Sequence, residues 1–274
     1  MPIGRKWRAG VLAMVAGLLS AGVALCQPAN LSPAEIARVD LAKLFGARSA
    51  WSLIATQGPP AVDYADNAAP GAVRLCLEKG PSGACQSEPA PMPPPQKGDT
   101  DDAWAPHYLR AATAVYPRGR SAPPLLLIVT ASLYAGDGDQ RVVTQLFRYQ
   151  RSRDVFERAY VHTTGANNNE EVRFIPSGPL MGDVISVEPT ENAPYAYWIE
   201  VERFEPGRAY KPVLKYRSAT RYADGNRLAV IDSEMPNIER RLGLWRPGSP
   251  LPLPTSAAKS CLKPRLKNGE LWCD

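Results

Sequence analysis

In the second half of the chain, short apolar and alternating runs are separated by turn-forming residues at close intervals. Leu125–Val129 is a continuous apolar run, which predicts a strand buried on both faces. Turn chemistry follows at Tyr134–Asp139, and strands are expected over Arg141–Tyr149 and Phe156–Thr163, joined by Ser152-Arg153-Asp154. Three strands so close together form a meander. The next stretch repeats the texture with strands at Asp183–Glu188, Ala196–Phe204, Val213–Tyr222 and Leu228–Ile231. Their turns are Asn192-Ala193-Pro194, Glu205-Pro206-Gly207 and Asp224-Gly225-Asn226. Along Ala196–Phe204 the alternation puts Tyr197, Ile199 and Val201 on one face and Trp198, Glu200 and Glu202 on the other.

The first half is less regular. Ser32-Pro33-Ala34-Glu35 reads as a capped helix start, and Ile36, Val39, Leu41, Leu44 and Phe45 give a helical stripe that Gly46 ends. Strands are expected at Ala50–Ile54 and Ala72–Leu77. Ser87–Asp102, with five prolines followed by an acidic run, reads as a linker or long loop. After Trp245-Arg246-Pro247-Gly248 the pattern Leu251-Pro252-Leu253-Pro254 is polyproline-like. The expected division is 27–86 for the helix and first strands, 87–102 for the linker, 103–248 for the main β region and 249–274 for an extended tail. The fold class is mainly β, with antiparallel meander sheets as a sandwich or blade-like stack and one N-terminal helix. The strand–turn–strand units around Tyr134 and Tyr222 resemble propeller blades in texture, without a repeat motif.

One apolar run has a different meaning. Arg5, Lys6 and Arg8 precede an uncharged stretch from Ala9 to Leu25, and small residues then cluster at Gly22, Ala24 and Cys26. That order is the grammar of a cleavable secretory signal over 1–26; the run is short and glycine-diluted for a membrane-spanning helix. Cleavage after Cys26 is expected, with cleavage after Ala24 the next choice and no transmembrane span left afterwards. Val23-Ala24-Leu25-Cys26 also resembles a bacterial lipoprotein box, which implies lipid anchoring through Cys26, although Leu25 stands where that pattern has a small residue.

Removing Cys26 leaves four cysteines, Cys76 with Cys85 and Cys261 with Cys273. In an exported chain, two close pairs read as disulfides. Each loop of about ten residues contributes roughly 2.5–3 kcal/mol in the chain-entropy model. A zinc site would want a histidine pair or tighter thiolate spacing, and neither His107 nor His162 lies near a cysteine.

Charge narrows the function classes. The whole chain carries +5, but loss of Arg5, Lys6 and Arg8 leaves 29 basic against 27 acidic side chains. The basic residues are dispersed, so no nucleic-acid footprint is expected. Asp137-Gly138-Asp139, Asp224-Gly225-Asn226 and Asn167–Glu171 could donate oxygens to calcium, yet hairpin turns use the same residues for backbone reasons. No cofactor fingerprint or nucleophile elbow is present.

Two candidate sites remain. Asp232 and Glu234, two apart on an expected strand, form a carboxylate pair of the kind glycoside hydrolysis uses; Glu200 and Glu202 form another. Met235–Trp245 mixes proline, adjacent arginines and a tryptophan, so Arg240, Arg241 and Trp245 are candidate ligand-binding residues. The same segment also suits a loop or short helix that buries its apolar residues and leaves the arginines in solvent. The sequence thus leads to an exported, non-catalytic binding or scaffold protein of the bacterial envelope, with an envelope protein or glycan as partner. The alternative is a secreted hydrolase using Asp232 and Glu234.

Overall fold

A computed structural model describes residues 33–273 except 81–84, 88, 90–104, 118, 120–121, 136–138, 193–194, 207–208, 254–260 and 262. The expected signal with Cys26, Ser32, most of the 87–102 segment and Asp137-Gly138 lie outside the described residues.

The chain is mainly β and its sheets are antiparallel. The first sheet has the order β1 (Ala34–Asp40), β2 (Trp51–Gln57), β5 (Val73–Lys79), β6 (Cys85–Ser87). A two-stranded excursion, β3 (Ala61–Val62) with β4 (Ala68–Ala69), interrupts it. The second sheet is the meander β7 (Tyr108–Val115), β8 (Leu125–Tyr134), β9 (Gln140–Gln150), β10 (Val155–Thr164). The third runs β11 (Glu171–Phe174), β12 (Val184–Pro189), β13 (Tyr197–Phe204), β14 (Tyr210–Arg217). Helix α2 (Val230–Arg241) follows, and the hairpin β15 (Pro264–Lys267) with β16 (Glu270–Cys273) ends the chain.

Three hydrophobic clusters set the layer order. Leu53 and Leu75 of the first sheet share a core with Leu126, Ile128 and Phe147 of the second. On the other face of the second sheet, Leu125, Leu146 and Tyr160 meet Val184 and Tyr210 of the third. The far face of the third sheet, with Ile185, Tyr197, Ile199 and Val201, packs against Ile231, Met235 and Ile238 of α2. Leu125 and Leu126 are neighbours in β8 and go to different cores, as the continuous apolar run requires. The order of elements in the chain is therefore the order of layers: sheet, sheet, sheet, helix.

The N-terminal helix is a correction. Residues 34–40 form a strand, and only α1 (Leu41–Phe45) is helical. Pairing with β2 competes with the local helical signal, and β1 is an edge strand in which Ala37 and Val39 turn inward while Ile36 stays exposed. Asp40, not Ser32, caps the short helix by accepting from the Lys43 amide at 3.1 Å. Gly46 ends it at φ +56°.

A second correction concerns the stretch after Asp224. The expected strand Leu228–Ile231 gives way to α2, and the return strand is Tyr210–Arg217 rather than Val213–Tyr222. Disulfides join Cys76 to Cys85 and Cys261 to Cys273, with Cα separations of 5.4 and 5.3 Å. No helix among the described residues is long and apolar enough to cross a membrane.

Candidate functional site

Helix α2 carries Asp232, Glu234, Arg240 and Arg241. Asp232 and Glu234 sit on it, not on a strand, so their side chains leave the axis about 200° apart. Their premise of a shared face is thereby corrected. Asp232 contacts the Arg173 guanidinium of β11. Glu234 is fully buried and accepts from Tyr216 Oη at 2.7 Å, Thr220 Oγ1 at 2.6 Å and Asn237 Nδ2 at 3.1 Å. Burial first, then the charge of Glu234, hold the Tyr216 phenol far above its ordinary range. Arg240 and Arg241 are exposed. Arg240 donates to Asn237 Oδ1 at 3.0 Å, and Arg241 stacks over the Tyr216 ring at 4.2 Å.

Trp245 lies elsewhere, in a groove on the outer layer of the stack. Its construction begins at the end of α2. Gly243, at φ +72°, lets the chain reverse. The Gly243 amide donates to Arg240 O at 3.1 Å and the Leu244 amide to Glu239 O at 2.8 Å, the paired bonds of a Schellman cap. The cap brings Leu244 and Trp245 back alongside Glu239. A turn closed by Ser249 N–H donating to Arg246 O at 3.1 Å then returns the chain, and Trp245 Nε1 donates to Pro250 O at 2.9 Å. Pro252 and Leu253 thus become one wall.

The opposite wall is the β11–β12 connection. Its base is closed by Ile175 N–H to Asp183 O at 2.9 Å and Gly182 N–H to Ile175 O at 2.8 Å. Arg203 grips Asp183 through two bonds of 3.0 and 2.8 Å, and Tyr210 Oη donates to Gly182 O at 3.0 Å. A side chain at Gly182 would collide with the Pro117 carbonyl, 2.0 Å from an ideal Cβ, so glycine is required for this approach. Pro176 and Pro179 stiffen the tip. Together the walls enclose about 810 Å³, within the rough 300–1,000 Å³ range of small-molecule sites.

Two charged side chains line this otherwise apolar space. Arg173 is neutralised by Asp232 and by Glu171, whose Oε1 lies 2.6 Å from its Nε. Glu239 is 5% exposed, and burial alone raises its carboxyl above the ordinary range. Among the described residues no side chain or backbone donor reaches that carboxylate.

The other candidates are held in local structure. His162 Nε2 meets Glu188 at 2.9 Å, and the His107 Nδ1–H donates to Pro70 O at 2.6 Å. Glu200 pairs with Lys215 at 2.7 Å. Asp139 and Glu170 approach each other around Gly165, but accept backbone amides from Ala166 and Asn167 and from Gly165, respectively. Asp224 accepts the Asn226 amide at 2.8 Å in a local turn. Among the described residues no group of three or more His, Cys, Asp or Glu is placed to hold a metal ion. Sequence reasoning singled out Trp245 but not Glu239; the adjacent signals were the Leu242-Gly243 helix stop and the apolar Pro-rich run after it.

No family model, no curated protein and no solved structure matches this chain.

Proposed function

We propose that this chain is an exported, non-catalytic binding protein of a bacterial-type cell envelope, and that the groove beside α2 is its ligand site. One observation carries the reading: both walls of the groove are braced by hydrogen bonds within the chain itself. Preformed apolar pockets with few polar groups are the usual form of small-molecule sites. The carboxylates that a hydrolase would use are tied up, Glu234 by three donors and Asp232 by Arg173. Export is supported by the signal-like N-terminus and by two disulfides, which persist in oxidising compartments.

Titrating residues 27–274 with the neutral dye Nile red tests the site. Saturable binding is expected, and Leu253→Asp, which changes a 44% exposed wall residue, should abolish it. Unsaturable dye uptake, or binding that ignores this change, would count against the groove. Intact mass of the protein from its host tests export: a mature start near Gln27 with thiols blocked until reduction supports it. An uncleaved chain with free thiols would defeat it.

A further inference from the structure

Resting on the groove as a ligand site, we infer that its ligand is a small organic cation with an apolar body, and that Glu239 is the counter-ion. A carboxylate buried without a partner is costly, because desolvation is offset by neither a hydrogen bond nor an opposite charge. The Glu239 residue is almost wholly withdrawn from solvent, and its carboxylate borders an open cavity with no described donor upon it. Three described arginines on or beside α2 are engaged elsewhere: Arg173 by two carboxylates, Arg240 by Asn237 and Arg241 by the Tyr216 ring. A cationic ligand in the groove would supply a positive charge to that carboxylate.

The walls agree in sign and in shape. The lining carries one cation, Arg173, already paired with Glu171 and Asp232, and one carboxylate, Glu239, so the charge left for a ligand to meet is negative. Leu180, Met235, Leu244 and Trp245 offer an apolar bed, and the Trp245 ring also attracts a cation by its quadrupole. The cavity volume fits a small molecule, not a folded partner. Glu239 is held in place by its own backbone, since its carbonyl accepts from Leu244 at 2.8 Å and Trp245 at 3.3 Å.

Three probes that share one body and differ in the head group test this: octylammonium, octanol and octanoate, titrated calorimetrically at pH 7.5. Octylammonium should bind roughly 10–100-fold more tightly than octanol, the span of a charge-assisted hydrogen bond, and octanoate weakest. Glu239→Gln should remove that advantage and leave octanol unchanged, which also shows that the variant is folded. If octanol matches octylammonium on the original chain, or Glu239→Gln keeps the ammonium preference, the counter-ion assignment is overturned while the groove stands. If neither these probes nor Nile red binds, the groove itself fails, and this inference with it.

Discussion

Two carboxylates at opposite ends of the layer stack live under contrary rules. Asp154, in the β9–β10 turn, accepts from Ser49 Oγ at 2.6 Å, Tyr149 Oη at 2.6 Å and Trp51 Nε1 at 3.0 Å, with Lys79 Nζ at 2.9 Å. Those hydrogen bonds, led by Ser49 and Tyr149, hold its carboxyl far below the ordinary range. Glu239, beside the groove, accepts from no described side chain, and burial pushes its carboxyl the other way. The first carboxylate ties the first sheet to the second. The second borders the groove with no described donor upon it.

The sharpest test of the comparison stays on one helix. Glu234 is five residues before Glu239 and is fully buried, with three donors upon it. Glu234→Ala should cost roughly 3–5 kcal/mol, because Tyr216, Thr220 and Asn237 would all lose an acceptor in a buried setting. Chemical denaturation reads this directly, and a cost near that of an exposed helix alanine would remove the distinction between the two glutamates.

Asp154 gives the next largest effect. Asp154→Ala removes four contacts and places alanine at φ +52°, a region it tolerates less well than Asp. A fall in Tm of several degrees is expected, with a smaller fall for Asp154→Asn, which keeps an acceptor and the backbone tolerance. Equal falls would mean that the backbone, not the carboxylate, matters there. The pH dependence separates the charge. The folded carboxyl lies below its ordinary value of 3.8, so its contribution is fully present above that pH and is lost as pH falls through and below it. The acid limb of a Tm–pH curve should therefore be shallower in Asp154→Asn.

Much of the sheet architecture was legible because its signals are local and redundant. Leu125–Val129 declared two buried faces, and the alternation of Tyr197, Ile199 and Val201 with Trp198, Glu200 and Glu202 separated the core face of β13 from the other. The helix beside the site was legible only in part, as the loop or short helix read over Met235–Trp245, while its start was read as a strand. Pro236 stands in its interior, where a proline normally argues against a helix. Its apolar positions Ile231, Met235, Ile238 and Leu242 do recur at helical spacing against the third sheet, but Glu234, Asn237 and Glu239 are buried as well, which blurs the polar face. The groove depends on Pro250–Leu253 meeting the β11–β12 connection across about 70 positions of sequence, which no local pattern encodes. At the N-terminus the error had the opposite origin: a good capping signature was overridden by pairing with β2.

The smallest predicted effect is the one that bears most on function. Glu239→Gln keeps the shape of the side chain and removes a charge that the unliganded groove does not stabilise. The folded carboxyl lies above its ordinary value of 4.5, so the folded state binds the proton more tightly than the unfolded state does. The sign is opposite to that of Asp154. Stability is lost as pH rises through the interval between the unfolded and folded values, and the deficit persists at neutral pH. Glu239→Gln should therefore stabilise the unliganded protein slightly at pH 7, with water at the groove mouth limiting the gain. Below pH 4 the two proteins should converge, since the carboxyl is then protonated in both states. A variant less stable at pH 7 would mean that Glu239 is already satisfied in solution. A variant more stable without ligand but indifferent to octylammonium joins a gain in stability to a loss of binding, the trade expected of a residue kept for its ligand rather than for the fold.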